Sequence, residues 1–391
     1  MSVIEVSKAS LYIHIPFCFS FCDYCDFYSV KAEKDNDALL DNFIQAVIKD
    51  IRYQFEYFNV KEIETAYIGG GTPSVLGAKR VSILLGALKS FSCFKPQEFT
   101  IEANPESADS DFLYTCLEGG INRISLGVQS FHEPSRCAVN RIGNTAILED
   151  RLSLVSRLFP GAFSVDLITG LPYHNETIVL EDIKRLLTFK PAHISLYSLT
   201  VEEATPLQEK LKTNKKFLPL ADEADVLWLA GMEALENAGY EHYEVSNFAL
   251  PDKRCLHNIR YWLMDSWLGA GPAASGTIIN DENGNSAVRG VKRYTFAPNV
   301  QEYIKAPFIT MAALEEPDKV SLIKETLLMG YRYRGGPDRE KFIRRFGLNI
   351  QDCIPQTLER WKNKKPDDIM LFLNSFLKEA FTEIDGSNGN L

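Results

Sequence analysis

Ser10-Leu-Tyr-Ile-His-Ile-Pro-Phe-Cys-Phe-Ser-Phe-Cys-Asp-Tyr-Cys25 begins as an apolar strand-like run and ends in three cysteines, Cys18, Cys22 and Cys25. The spacing is Cys-x3-Cys-x2-Cys, with no fourth cysteine beside it. Three thiolates on one short loop can hold three irons of a cubane [4Fe–4S] cluster, leaving the fourth iron without a protein ligand. An open iron suits redox chemistry on a chelated cofactor better than simple electron storage. Zinc is the competing reading, but a structural zinc takes four N/S ligands. His14 is the available fourth ligand, and it lies on the strand, away from the usual finger spacing. A structural zinc would also leave the run Gly69-Gly70-Gly71-Thr72-Pro73 without a purpose.

Outward from this segment, short β-rich runs alternate with helical periodicity. Strands are predicted at Leu11–Ile15, Thr65–Ile68, Phe99–Ala103, Arg123–Val128, Ser164–Ile168 and His193–Ser198. Helices are predicted at Leu39–Tyr57, Ala78–Phe91, Ser110–Glu118, across Pro134–Leu158, at Thr177–Phe189 and at Ala221–Ala238. Strand–helix repetition of this kind implies an α/β fold with a parallel sheet and outer helices, and handedness favours a barrel or partial barrel. Tyr240–Ser246 reads as an added strand, residues 249–300 as irregular, and Asp281–Ser286 as a surface turn. The expected units are a partial (β/α)6 barrel core over 1–250, an irregular extension over 251–307, and a small, mostly helical C-terminal domain over 308–391. The last residues, Asp385–Leu391, read as disordered.

In such folds functional side chains gather at the C-terminal ends of the strands. The cysteines follow the first strand and the glycine run follows the second. Glu102 and Asn104 end the third, Gln129 the fourth, Asp166 lies on the fifth, and Tyr197 and Thr200 lie near the end of the sixth. Read singly, Glu102 is a solvated strand end, Gln129 a helix cap and Asp166 a loop anchor. Their shared rim is what singles them out. Three glycines let backbone amides approach a ligand closely.

Bulk properties narrow the class. The chain has 391 residues, 45% hydrophobic, with a net charge of −10. That balance argues against a general nucleic-acid or anionic-membrane binder. No run reaches the ~18 apolar residues of a transmembrane helix, and no secretory signal is read at the N-terminus. Eight cysteines in a leaderless chain point to a reducing compartment and a cytoplasmic location.

Cys-x3-Cys-x2-Cys followed by Gly-Gly-Gly-Thr-Pro resembles the radical S-adenosylmethionine (SAM) enzymes. The branch resembled is that of oxygen-independent coproporphyrinogen III oxidases and HemW-type haem chaperones. The matching segments are Tyr12–Cys18, Ile101–Pro105, Ser125–Phe131, Asp166–Pro172 and Tyr243–Phe248. The resemblance implies that Cys18, Cys22 and Cys25 ligate the cluster, whose unique iron chelates SAM. It further implies SAM contacts at Tyr12, Tyr24, Gly70, Gly71, Thr72, Glu102, Gln129, Arg141 and Asp166. In this class an electron from the reduced cluster cleaves SAM to methionine and a 5′-deoxyadenosyl radical. No side chain is singled out as catalytic.

Two features separate the branches. The oxidases carry a further cysteine two residues after the third, where this chain has Phe27, and a longer segment before the motif. Cys255-Leu-His-Asn-Ile-Arg-Tyr-Trp262 is similar to the His-Asn-x-x-Tyr-Trp motif of the chaperones. On that likeness His257, Asn258, Tyr261 and Trp262 are candidate haem contacts, with His257 the candidate iron ligand; without it, such a histidine reads as packed and hydrogen-bonded. Ser275 stands where the family usually has histidine, and Val139–Gly143 and the C-terminal end also depart from the usual pattern. The implied partners are haem, apo-haemoprotein clients and an electron donor. The alternative is oxidative decarboxylation of coproporphyrinogen III to protoporphyrinogen IX, or another radical SAM reaction.

Overall fold

The computed structural model describes residues 5–33, 37–214, 217–279, 291–308 and 311–386. The loop at 281–286 and residues 387–391 lie outside these. The strands of the main sheet are β1 (Val6–Ile15), β2 (Val60–Gly70), β3 (Phe94–Ala103), β4 (Arg123–Gln129), β5 (Phe163–Thr169) and β6 (His193–Ser198). They are followed by β7 (Glu241–Glu244), β8 (Asn247–Ala249), β9 (Trp267–Ala270), β10 (Ser275–Ile278), β11 (Lys292–Phe296) and β12 (Met311–Glu315). Their order is β12-β11-β10-β9-β1-β2-β3-β4-β5-β6-β8-β7. Strands β9 and β1 to β6 run parallel, and the others extend the two ends antiparallel.

All six expected strand–helix units are present. Asp109, Asn144 and Asn175 each cap a helix by accepting the backbone N–H three residues on, which is why helices start at Ser110, Thr145 and Glu176. Helix Asp37–Tyr57 buries Leu40, Phe43, Ile44, Val47 and Ile51, the three-and-four spacing of one helical face. The fold is a partial (β/α)6 barrel with a small helical C-terminal portion. Helices Lys319–Gly330, Arg339–Phe346 and Leu373–Gly386 share a second apolar core around Leu322, Leu327, Phe342 and Phe376.

The helices expected across Pro134–Leu158 are Glu133–Ala138 and Thr145–Leu158, and the interruption between them carries Arg141 to the strand ends. One segment differs from expectation. The stretch expected to be irregular contains β9, β10 and β11, with β9 directly beside β1. Its glycines hide the strands: Gly269 and Gly276 sit where a Cβ would strike Ser275 and the Tyr294 ring. Close backbone packing, not turn formation, demands them.

Alternation along the parallel strands sorts the residues by chemistry. One face carries Leu11, Ile13, Ile68, Ile101, Leu126, Val165 and Leu196, all buried. The other carries Ser10, Tyr12, Thr65, Tyr67, Glu98, Glu102, Arg123, Ser125, Asp166, His193 and Ser195, in rows set by the strand register. The interior of the partial barrel is therefore polar.

Candidate functional site

The cysteine loop leaves β1 at Pro16 and is pinned by the two-residue strands Phe17–Cys18 and Val30–Lys31. Cys18, Cys22 and Cys25 are free and partly exposed. Burial, the largest influence, pushes the Cys25 thiol up to about 11 and raises that of Cys18. A cubane gives each thiolate its own iron, so the three sulfurs need not converge on one metal position. Among the described residues no three His, Cys, Asp or Glu side chains do so.

A circuit of contacts ties this loop to the strand ends. Cys18 Sγ lies 3.5 Å from Thr72 Oγ1. Asn104 Nδ2 donates to Thr72 Oγ1 at 3.1 Å, and Arg141 Nη2 donates to Asn104 Oδ1 at 2.8 Å. Arg141 Nη1 then reaches Cys22 Sγ at 3.9 Å. The sequence shows Asn104 only as a polar residue at the rim; its bridging role depends on Arg141, which the break between helices Glu133–Ala138 and Thr145–Leu158 brings to it.

The glycine turn is shaped against the same loop. Gly71 N–H donates to Ile15 O at 2.8 Å. A Cβ on Gly71 would sit 2.9 Å from Phe17 O and 3.0 Å from Cys18 Sγ. Gly70 has φ +112°, and a Cβ there would meet the His14 ring at 2.6 Å. His14 Nε2 donates to Tyr28 O at 3.0 Å, since a carbonyl only accepts, so His14 Nδ1 accepts from the Tyr12 hydroxyl at 3.0 Å.

Glu102 accepts from Tyr67 OH at 2.8 Å and from Gly70 N–H at 3.1 Å. Burial, reinforced by Asp166, lifts its carboxyl to about 7. Burial likewise lifts Asp166 to about 6, with Ser195 and Ser125 hydrogen bonds opposing it. Tyr24 packs among Val139, Ile168, Leu171 and Leu207. Gln129 closes β4 with φ +70°, and its Oε1 is buried without a partner. Both carboxylate oxygens of Glu106, which lines one cleft with Cys22, Thr72 and Arg141, are also buried and unpartnered. Free thiols, bare backbone, paired acids and orphaned polar atoms fit a cluster together with a zwitterionic, polar ligand.

The His-Asn-x-x-Tyr-Trp segment lies elsewhere. Helix Leu256–Trp262 enters the barrel interior from the opposite end, and His257 is 1% exposed. Glu98 accepts from Leu256 N–H at 2.9 Å and from His257 N–H at 3.0 Å. Thr65 Oγ1 donates to Ser10, so His257 Nδ1 donates to Thr65 at 2.9 Å; Nε2 accepts from Tyr261 OH at 3.3 Å. Burial holds the imidazole neutral, down to about 3. Both nitrogens are engaged, and His257 is a packed, hydrogen-bonded interior histidine. Asn258 is half-buried on the same helix, and Trp262 lies under the Arg332 guanidinium at 5.7 Å.

Residues 12–215 match the Radical SAM superfamily, and the chain belongs to that superfamily. It is 33% identical over 361 residues to the heme chaperone HemW of Lactococcus lactis, covering 91% of this chain and 90% of that protein. To the mitochondrial radical S-adenosyl methionine domain-containing protein 1 of Mus musculus it is 31% identical, covering 83% of this chain and 73% of that one. Its likeness within the superfamily is thus to HemW-like proteins. The solved Escherichia coli coproporphyrinogen III oxidase HemN, a radical SAM enzyme, matches with TM-score 0.78 over 97% of this chain and 90% of that one. Identity there is 19%, and the likeness is one of fold. Among the described residues no helix is long and apolar enough to cross a membrane.

Proposed function

We propose that this chain is a haem chaperone: it binds haem beside a [4Fe–4S] cluster and SAM, and passes the haem to apo-haemoproteins. The observation that carries this is the cysteine loop, with Phe27 in place of a fourth cysteine, in a chain alike over nearly its whole length to a protein named for haem chaperoning. Cys18, Cys22 and Cys25 would hold the cluster. Gly70, Gly71 and Thr72 would meet the methionine part of SAM, with Tyr12, Tyr24, Glu102, Gln129, Arg141 and Asp166 around it.

A reduced cluster of this class supplies the electron that cleaves SAM. The chain's own part is to bind, orient and shield. Buried Glu102 and Asp166 favour a cationic ligand group, and Arg141 offsets the negative charge of thiolates. Phe19, Phe21 and Phe27, all on the cysteine loop, are 44%, 43% and 64% exposed. Aromatic faces at the mouth of the site suit a flat apolar macrocycle. A reducing, cytoplasmic setting and an external electron donor suit eight free thiols.

Anaerobic reconstitution followed by haem titration on the same sample tests this reading. The expected result is about four irons per chain, a growing Soret band, and no protoporphyrinogen IX from coproporphyrinogen III. Absence of a Soret band overturns it. Formation of protoporphyrinogen IX makes the chain an oxidase instead.

A further inference from the structure

We infer that Tyr67 and His257 are positioning residues for the SAM site, and that the His-Asn-x-x-Tyr-Trp segment acts through them as the floor of the barrel chamber. The inference rests on the reading that Glu102 contacts SAM. Glu102 and Glu98 are four residues apart on β3, so both face the interior, about 13 Å apart along the strand. Glu98 anchors the floor: besides Leu256 and His257 it receives the Cys255 thiol at 3.3 Å. Glu102 anchors the rim through Gly70.

Tyr67 spans the gap. Its hydroxyl donates to Glu102, and its ring stacks on the His257 imidazole with centroids 5.2 Å apart and planes 29° apart. His257 is fixed at both nitrogens and at its backbone N–H, so it presents one defined surface to Tyr67. Tyr67 also contacts the Tyr12 ring at 6.3 Å. Loss of the imidazole leaves the Tyr67 ring free to tilt, and a tilted ring cannot keep its hydroxyl on Glu102. The carboxylate then loses a donor, and the Gly70 turn loses its partner's orientation.

Tyr67→Phe, His257→Ala and His257→Gln are compared with wild type after anaerobic reconstitution. Readouts are iron content, SAM affinity from the change in the reduced cluster's electron paramagnetic resonance spectrum, and haem affinity by Soret titration. All three variants are expected to keep wild-type iron and haem binding. Tyr67→Phe, which retains the ring, should weaken SAM roughly ten-fold, as expected for one lost hydrogen bond to a carboxylate. His257→Ala should do the same, and His257→Gln, whose planar amide puts a flat surface back under the Tyr67 ring and keeps a donor for Thr65, should recover part of the loss. Wild-type SAM affinity in Tyr67→Phe overturns the proposal alone, as does haem loss in His257→Ala with unchanged SAM affinity. A wild-type protein that binds no SAM overturns the underlying reading together with it.

Discussion

The guanidinium of Arg141 lies 3.9 Å from the sulfur of Cys22, and the same side chain is held in place by Asn104. A fixed positive charge this close to a thiolate proposed to hold the cluster favours the more negative, reduced state. Arg141→Met should therefore leave the iron content intact and lower the cluster's reduction potential, by an amount on the order of 100 mV for a charge near a partly solvated site. Redox titration followed by electron paramagnetic resonance measures this; an unchanged potential would show that the charge is fully screened.

Gly71 is in contact with the cysteine loop itself. Gly71→Ala should cut iron and sulfide after reconstitution by half or more, because the new methyl group must displace Cys18 or the Phe17 carbonyl. Gly86→Ala is the matched control. It lies in helix Gly77–Lys89 with open space around it, and should leave iron unchanged while adding roughly 0.5–1 kcal/mol of stability.

Asp50 is a fully buried carboxylate that accepts from Gln54 at 3.0 Å and from Tyr303 at 2.6 Å, tying the first long helix to the residue 291–308 segment. Burial, opposed by these hydrogen bonds, raises it from 3.8 to about 7. Between those values the folded chain binds more protons at this site than the unfolded chain. Stability from Asp50 is therefore greatest near pH 4 and declines as pH rises to about 7. Urea midpoints should show Asp50→Asn gaining on wild type across that window and then running parallel above it. A pH-independent difference would contradict the assignment.

Glu383 caps the helix Pro355–Trp361 from the last helix, accepting from Gln356 N–H and Thr357 N–H at 2.8 Å and from Thr357 Oγ1 at 2.7 Å. Glu383→Ala should cost about 1–2 kcal/mol by denaturant unfolding. SAM and haem affinities should not change, since this contact is confined to the C-terminal helices.

The strand–helix alternation made the partial barrel legible, because apolar strands with short period and capped helices write themselves locally. The cysteine loop, the glycine turn and the polar strand ends were legible for the same reason: each chemistry sits on a short contiguous run. What stayed hidden depends on distant pairing. Nothing near Trp267 in the chain reveals that it lies opposite Ser10, and the glycines around it resemble loop punctuation. His257 shows the limit most plainly. Its neighbours along the chain fit a haem contact, while its partners, Thr65, Tyr67 and Glu98, come from two other strands.

Strand β1, which delivers the cysteines, lies between β2 and β9. Its second neighbour is therefore supplied by residues near 270, long after the cysteines have left the ribosome. During synthesis one edge of β1 remains uncovered until most of the polypeptide has emerged, a long-range closure of the kind that folds late. That leaves two routes for iron–sulfur assembly, onto an incomplete barrel or onto a finished one through the partly exposed cysteine loop. A truncation ending before Trp267 would separate these routes, since it retains Cys18, Cys22 and Cys25 but lacks the strand that completes the support of β1.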